Sequence, residues 1–249
     1  MNLTGIFVTA LILISCRHQQ TGENIDIIPV RDISPAQTVP DKAPSEPAGK
    51  TYKGFFVSGA TKHVFRDCAD PDKDIWTDDS GKLDHLYKAL IKSSLTYPNE
   101  YAYTEVEGNM AVAPQEIRSR GYDSVLTVYK VLTFEQKNFR NSCIPYEFWV
   151  IGNKPNWSLQ VSKKESLIAL KDYTHGKVYI FPYFEPGEMD DAITYRTENT
   201  AITAALQVVI KKQKCSEGSS KENYEFSAKV IMNGKVYRGC AIRGDSGSF

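Results

Sequence analysis

The hydrophobic period of this chain changes only once. Leu83, Leu86, Tyr87, Leu90 and Ile91 fall at i, i+3, i+4, i+7 and i+8, which is one face of an amphipathic helix. Elsewhere between Thr51 and Ala241, apolar residues alternate with polar ones or form short runs bounded by Gly, Pro, Asn and Asp, as strands do. A chain patterned this way buries its apolar faces by curling or stacking antiparallel sheets. The 41% of hydrophobic residues and 14 Tyr exclude a disordered chain. We therefore expect a mainly β protein.

Three strand-like runs precede the helix, at Tyr52–Val57, His63–Arg66 and Asp74–Thr77, and Asp79 or Ser80 is placed to cap it. Two follow, at Glu100–Glu107 and Val125–Leu132. Three strands, a helix and two strands is the order of an OB-fold, a five-stranded barrel with one helix between strands three and four. From about Phe139 no helical period interrupts strand-like runs at Phe148–Ile151, Trp157–Val161, Leu167–Leu170, Val178–Tyr183, Ile193–Tyr195, Ile202–Ile210, Tyr224–Met232 and Lys235–Ala241. Asn233-Gly234 between the last two signals a type I′ hairpin. This second region is expected to form a small antiparallel β-barrel or sandwich. The OB-like domain is assigned to residues 51–138 and the second domain to 139–249.

The N-terminus carries a different signal. Gly5–Ile14 is an apolar run of about ten residues, too short to span a bilayer and the length of a signal-peptide core. It ends in Leu13-Ile14-Ser15-Cys16, which resembles the lipobox of bacterial lipoproteins. The resemblance implies a signal peptide over residues 1–15 and an acyl (palmitate-bearing) anchor on Cys16, holding the chain to a membrane. Arg17, in place of the Asp that retains lipoproteins at the inner membrane, implies the outer membrane with the folded domains facing the periplasm. Residues 16–50 contain Pro29, Pro35, Pro40, Pro44 and Pro47 among polar residues and read as a stiffened tether.

Thirty basic and 30 acidic residues cancel, so the broad positive field of nucleic-acid binders is absent. Cys68, Cys143, Cys215 and Cys240 form an even set, which in an exported chain reads as two disulfides with three possible connectivities. No C-x-x-C pair occurs and the four His do not cluster in sequence, so no metal is expected, and no cofactor. Asp70, Asp72 and Asp74 share the odd spacing of a calcium loop, but its sixth and twelfth positions are Ile75 and Gly81, so they read as a solvated turn. Gly244-Asp245-Ser246-Gly247-Ser248 resembles the surroundings of a serine nucleophile, yet it lies in the last six residues and reads as a tail. Trp76, Trp149 and Trp157 fit core packing first and a stacking surface second. No catalytic constellation can be placed, and the chain is expected not to be an enzyme.

Two further resemblances rest on motifs. Gly152-Asn153-Lys154-Pro155-Asn156-Trp157, Cys215-Ser216-Glu217-Gly218-Ser219-Ser220-Lys221 and Gly234-Lys235-Val236-Tyr237-Arg238-Gly239-Cys240 resemble the G-x-E-P-x-W, C-S-D-G-M-S-D and G-x-x-Y-x-G-C segments of a family of envelope lipoproteins with META/HslJ-like barrels. Lys154 and Ser219 depart from that pattern. Gly152, Pro155 and Trp157 are its candidate binding or core motif. Tyr52, Gly54, Phe56, Gly59, Phe65-Arg66-Asp67-Cys68 and the helix from Lys82 resemble the C-terminal OB domain of the NlpE lipoproteins. Cys215 and Cys240 flank the last hairpin and are expected to pair. Cys68 with Cys143 follows partly by elimination, and the NlpE resemblance implies the same bond. The expected function is a binding or envelope-stress and cell-wall interaction module, with envelope proteins or peptidoglycan as partners and no nucleic acid. The alternative is a peptidoglycan-acting enzyme or a lysozyme-inhibitor-like protein. Replacing Cys16 by Ser is expected to move the protein from the membrane fraction to the soluble fraction. Absence of a fatty-acid label on the wild-type chain would refute the lipobox reading.

Overall fold

β1 (Lys50–Ser58) is the strand on which the first sheet closes. It pairs antiparallel with β2 (His63–Asp67) on one side and with β4 (Ala102–Val112) on the other. β3 (Ile75–Asp78) joins β2 and runs parallel to β5 (Ser124–Gln136), which returns to β4. The result is a closed five-stranded barrel in the order β1-β2-β3-β5-β4, the OB arrangement. These coordinates are a computed structural model that describes residues 49–60, 62–189, 191–216 and 223–244. Cys16, the tether to residue 48 and Asp245–Phe249 lie outside the described residues.

Helix α1 (Lys82–Ser93) sits between β3 and β4 and buries Leu83 and Tyr87 against the barrel. Asp79 caps it, as expected, but from two residues before the N-cap position. The N-cap residue is Gly81, at φ +80, while Asp79 reaches in from outside, its carboxylate accepting the Leu83 N–H at 2.5 Å and the Asp84 N–H at 3.3 Å. A second, four-residue helix, α2 (Gln115–Arg118), lies in the β4–β5 connection, where the polar sequence shows no helical period.

The remaining strands are β6 (Phe148–Asn153), β7 (Asn156–Ser162), β8 (Leu167–Asp172), β9 (Lys177–Pro182), β10 (Gly187–Met189), β11 (Ala192–Asn199), β12 (Ala204–Lys211), β13 (Phe226–Met232) and β14 (Lys235–Arg243). They form one antiparallel sheet in the order β10-β11-β12-β13-β14-β6-β7-β8-β9. The last strand thus pairs with the first, curling the sheet around Phe148, Trp157, Phe181, Tyr195 and Tyr237. Ile202, expected in a strand, falls in a 3-10 turn at Thr200–Ile202, and Tyr224 makes only an isolated bridge to Cys215. The three-residue β10 was too short to carry an alternation signal. Asn233 and Gly234 take φ of 46° and 82°, as the I′ turn requires.

Trp157 explains its own motif. Its indole is 1% exposed, packs against Tyr237 and donates from Nε1 to the Arg238 carbonyl at 3.3 Å. Gly152 lies directly across the β6–β7 pair, and a Cβ there would overlap Nε1. Lys154-Pro155, joined by a cis peptide bond, makes the two-residue turn between the paired Asn153 and Asn156. Gly152→Ala is therefore expected to cost about 1–3 kcal/mol by overpacking, read as a lowered urea midpoint. An unchanged midpoint would contradict the packing described.

Candidate functional site

Part of the outer face of the OB barrel is covered within the chain. Phe55 and Val57 alternate with the interior Phe56, so they point outward, and Val64 is paired with Val57; all three are fully buried. They share one buried cluster with Cys143 and Ile144 of the connecting segment, and the Cys68–Cys143 disulfide fastens that segment to the end of β2. The outward face of β7 and β8 is covered too, and Ser158, Gln160, Ser162 and Lys171 on it are buried polar residues.

Buried charges there are paired one to one. Lys171 donates to both Glu100 oxygens at 2.6 and 2.9 Å, and Lys137 to both Glu165 oxygens at 2.7 and 2.8 Å. Gln160 also donates to Glu165, at 2.5 Å. Tyr97 lies between the two ammonium groups, with its ring 5.8 Å from Lys137 and 5.6 Å from Lys171. Burial pushes the Lys171 ammonium below its ordinary pKa, against the raising effect of the Glu100 charge, and burial drives the Tyr97 phenol far upward. Both lysines are enclosed, so this network joins the barrels and offers no access to a ligand.

Elsewhere the OB surface carries an aromatic cluster. In β3, Ile75 and Thr77 point inward, so alternation turns Trp76 outward. Its ring meets Tyr122 at 5.5 Å and His63 at 5.8 Å, both tilted, and the Arg120 guanidinium stands 5.4 Å from its centroid. Arg120 and Tyr122 flank Gly121, whose φ of +91° reverses the chain after α2 and returns it toward Trp76. The three rings are half-buried and Arg120 is exposed. This arrangement can receive the C–H face of a sugar ring or a flat ligand and hold an anionic group beside it. Neither Arg120 nor Tyr122 was singled out from sequence, because nothing local joins position 76 to a turn some 45 residues later.

A second grouping was not visible in the sequence. His63 Nε2 lies 2.9 Å from Asp79, and His63 Nδ1 lies 3.4 Å from Ser58 Oγ. These are the residue types of a nucleophilic triad, but the Ser58 hydroxyl donates to Asp84 at 2.6 Å, so its proton is directed away from His63. Asp79 is engaged by His63 and by the start of α1. Burial alone would raise its carboxyl; the bonds from His63 and the Leu83 N–H outweigh that and hold it below the usual range. The grouping ties the β1–β2 turn to the helix.

At one end of the curled sheet the buried Asp172 accepts from Tyr237 and Lys235 at 3.0 Å each and lies 2.9 Å from His175 Nδ1. Burial acts to raise its pKa, but bonds from His175, Lys235 and Tyr237 together bring it down to about 2.

The sequence-derived residues fall as follows. Cys68 pairs with Cys143 and Cys215 with Cys240, with Cα separations of 5.4 and 5.5 Å. Gly152, Pro155 and Trp157 belong to the hairpin and core described above. Trp149 is buried against Tyr146. Asp70, Asp72 and Asp74 do not converge, each being taken by a different cation: Lys73, Lys164 and Arg66. Among the described residues no group of three or more His, Cys, Asp or Glu is arranged to hold a metal ion. No protein-family model, curated protein or solved structure matches the chain, so the two family resemblances rest on their motifs.

Two outcomes are expected. Glu100→Gln leaves the buried Lys171 without its counter-charge and should destabilise the fold by about 3–5 kcal/mol, whereas a Glu100→Met, Lys171→Met double variant should recover most of the loss. Equal losses in both, measured by urea unfolding, would show that the pair does not act as a unit. The Asp172 carboxyl is depressed in the folded state, so its contribution is complete above its unfolded pKa near 3.8 and is lost as pH falls toward about 2. The difference in melting temperature between wild type and Asp172→Asn should shrink over that window; a constant difference would contradict the assignment.

Proposed function

We propose that the chain is a lipid-anchored, periplasm-facing module of the bacterial envelope that works by binding. The Trp76 surface would be its ligand platform, and cell-wall glycan or an envelope protein its partner. The observation that carries this reading is the outward Trp76 ring, packed with Tyr122 and with Arg120 over it. Two disulfides agree with export to an oxidising compartment. The apolar run ending at Cys16 supports the anchor, and no described helix is long and apolar enough to cross a membrane. In a two-lipid or three-lipid anchor the acyl chains alone hold the protein stably. The alternative, a peptidoglycan-acting enzyme or lysozyme inhibitor, is distinguished by the same assay.

The full chain is expected to cosediment with purified peptidoglycan. Trp76→Ala should weaken that binding by about tenfold, the lower end of what a ligand group stacked on an aromatic ring contributes, about 1–3 kcal/mol for a nucleic-acid base. Equal sedimentation of Trp76→Ala and wild type would remove the platform from the reading. Release of soluble fragments, or protection of peptidoglycan from lysozyme without binding it, would favour the alternative.

A further inference from the structure

Three cations from adjacent strands share the outward face of β12, β13 and β14. On β13 the core takes Phe226, Ala228, Val230 and Met232, so alternation turns Lys229 outward. On β14 the core takes Tyr237, which turns Arg238 outward. Lys229 and Arg238 are direct partners across this antiparallel pair. Opposed side chains have Cβ atoms about 4.5–5.5 Å apart, and like charges so placed destabilise a sheet. On the other side Lys229 is paired with Val209, and Lys211 lies two positions further along β12, diagonal to Lys229 on the same face. The OB barrel shows the ordinary arrangement: Lys53 is the direct partner of Glu105 and bonds it at 3.0 Å. The side chains of Lys211, Lys229 and Arg238 make no ion pair or hydrogen bond with another described residue.

The same three residues line a cleft of about 430 Å³, together with Val209, Gln213 and Cys215. Cys215 is fixed there from two directions. It is bonded to Cys240, which lies on the same face of β14 two positions beyond Arg238, and it exchanges main-chain hydrogen bonds with Tyr224 at 2.9 and 2.8 Å. The Arg238 backbone is held by the Trp157 indole, while its guanidinium stays exposed. Lys229 is half-buried. Among the described residues no carboxylate lines the cleft.

We propose that this cleft binds a phosphate group bearing at least two negative charges, gripped by Arg238 and balanced by Lys229 and Lys211. A guanidinium offers two parallel N–H donors that match two phosphate oxygens, and ammonium groups act beside it as point charges. Such a ligand turns an unfavourable like-charge contact into a favourable one; departures from the ordinary pairing rules of this kind are found at functional sites. A free phosphate compound and the headgroup of a phospholipid share this chemistry. The site stands on the second barrel and does not depend on the Trp76 surface.

The test titrates the full chain in detergent, at fixed ionic strength, with inorganic pyrophosphate and separately with glycerol 3-phosphate, the headgroup of phosphatidic acid. At least one of them is expected to give saturable backbone amide shifts at Val209–Lys211, Lys229 and Arg238. Tighter binding of pyrophosphate assigns a free anion, tighter binding of glycerol 3-phosphate a lipid headgroup, and equal binding the phosphate group alone. Lys229→Gln and Arg238→Gln should each weaken binding about tenfold. Lys92→Gln, the same charge change at an exposed position of α1, should leave it unaltered. Unchanged shifts across β7 and β8 verify that a variant is folded, and Lys211→Gln, at the exposed end of β12, repeats the test where one is not. No saturable shift with either anion, or equal effects of the cleft substitutions and Lys92→Gln, overturns the proposal.

Discussion

Lys137 and Lys171 are enclosed between the two barrels, and an ammonium group out of water persists only beside a counter-charge. Each has one: Glu165 for Lys137, Glu100 for Lys171, both bidentate and within 2.9 Å. A sliding or rotated interface would separate these pairs and leave charges buried alone. Pairs of this kind add little net stability over apolar residues of the same shape, but losing one partner leaves an uncompensated buried charge. Tyr97 reinforces it, since a single ring serves both lysines.

That geometry decides which surfaces remain. Cys143 and Ile144 of the connecting segment share the buried cluster of Phe55, Val57 and Val64, while Trp76 stays half-exposed. The Cys68–Cys143 bond holds the connecting segment in place from the other direction. It closes a loop of 75 residues and, by the chain-entropy argument, contributes about 4 kcal/mol; Cys215–Cys240, across 25 residues, contributes about 3. Ionic pairing and covalent closure thus act on the same interface, one setting its register and the other limiting how far the unfolded chain can separate the parts.

The curled sheet has the opposite character at its break. Pairing of β14 with β6 closes the ring through the two ends of the second region, so the unpaired edges fall in its middle. β9 ends at Pro182, which has no N–H to offer a neighbour. β10 then occupies the upper part of the β11 edge, and side chains alone span the remainder.

Local physics made much of this legible beforehand. The period-two runs became strands, Leu83, Leu86, Tyr87 and Leu90 became one helix, and Asn233-Gly234 became a turn at positive φ, because alternation, helical spacing and turn chemistry act over a few residues. The order of those elements was enough for a five-stranded barrel. The Gly152–Trp157 motif was visible as a pattern, but its meaning as a core hairpin needed the indole lying over the glycine. What the tertiary structure alone decided is which distant groups meet. Glu100 and Lys171 stand 71 positions apart, Trp76 lies in β3 while Tyr122 lies in the β4–β5 connection, and Ser58, His63 and Asp79 join only because a hairpin closes onto a helix start. The sequence alone determined the elements because backbone preferences are local. The ion pairs, the aromatic platform and the break between β9 and β11 depend on through-space packing, for which no residue carries a local signal.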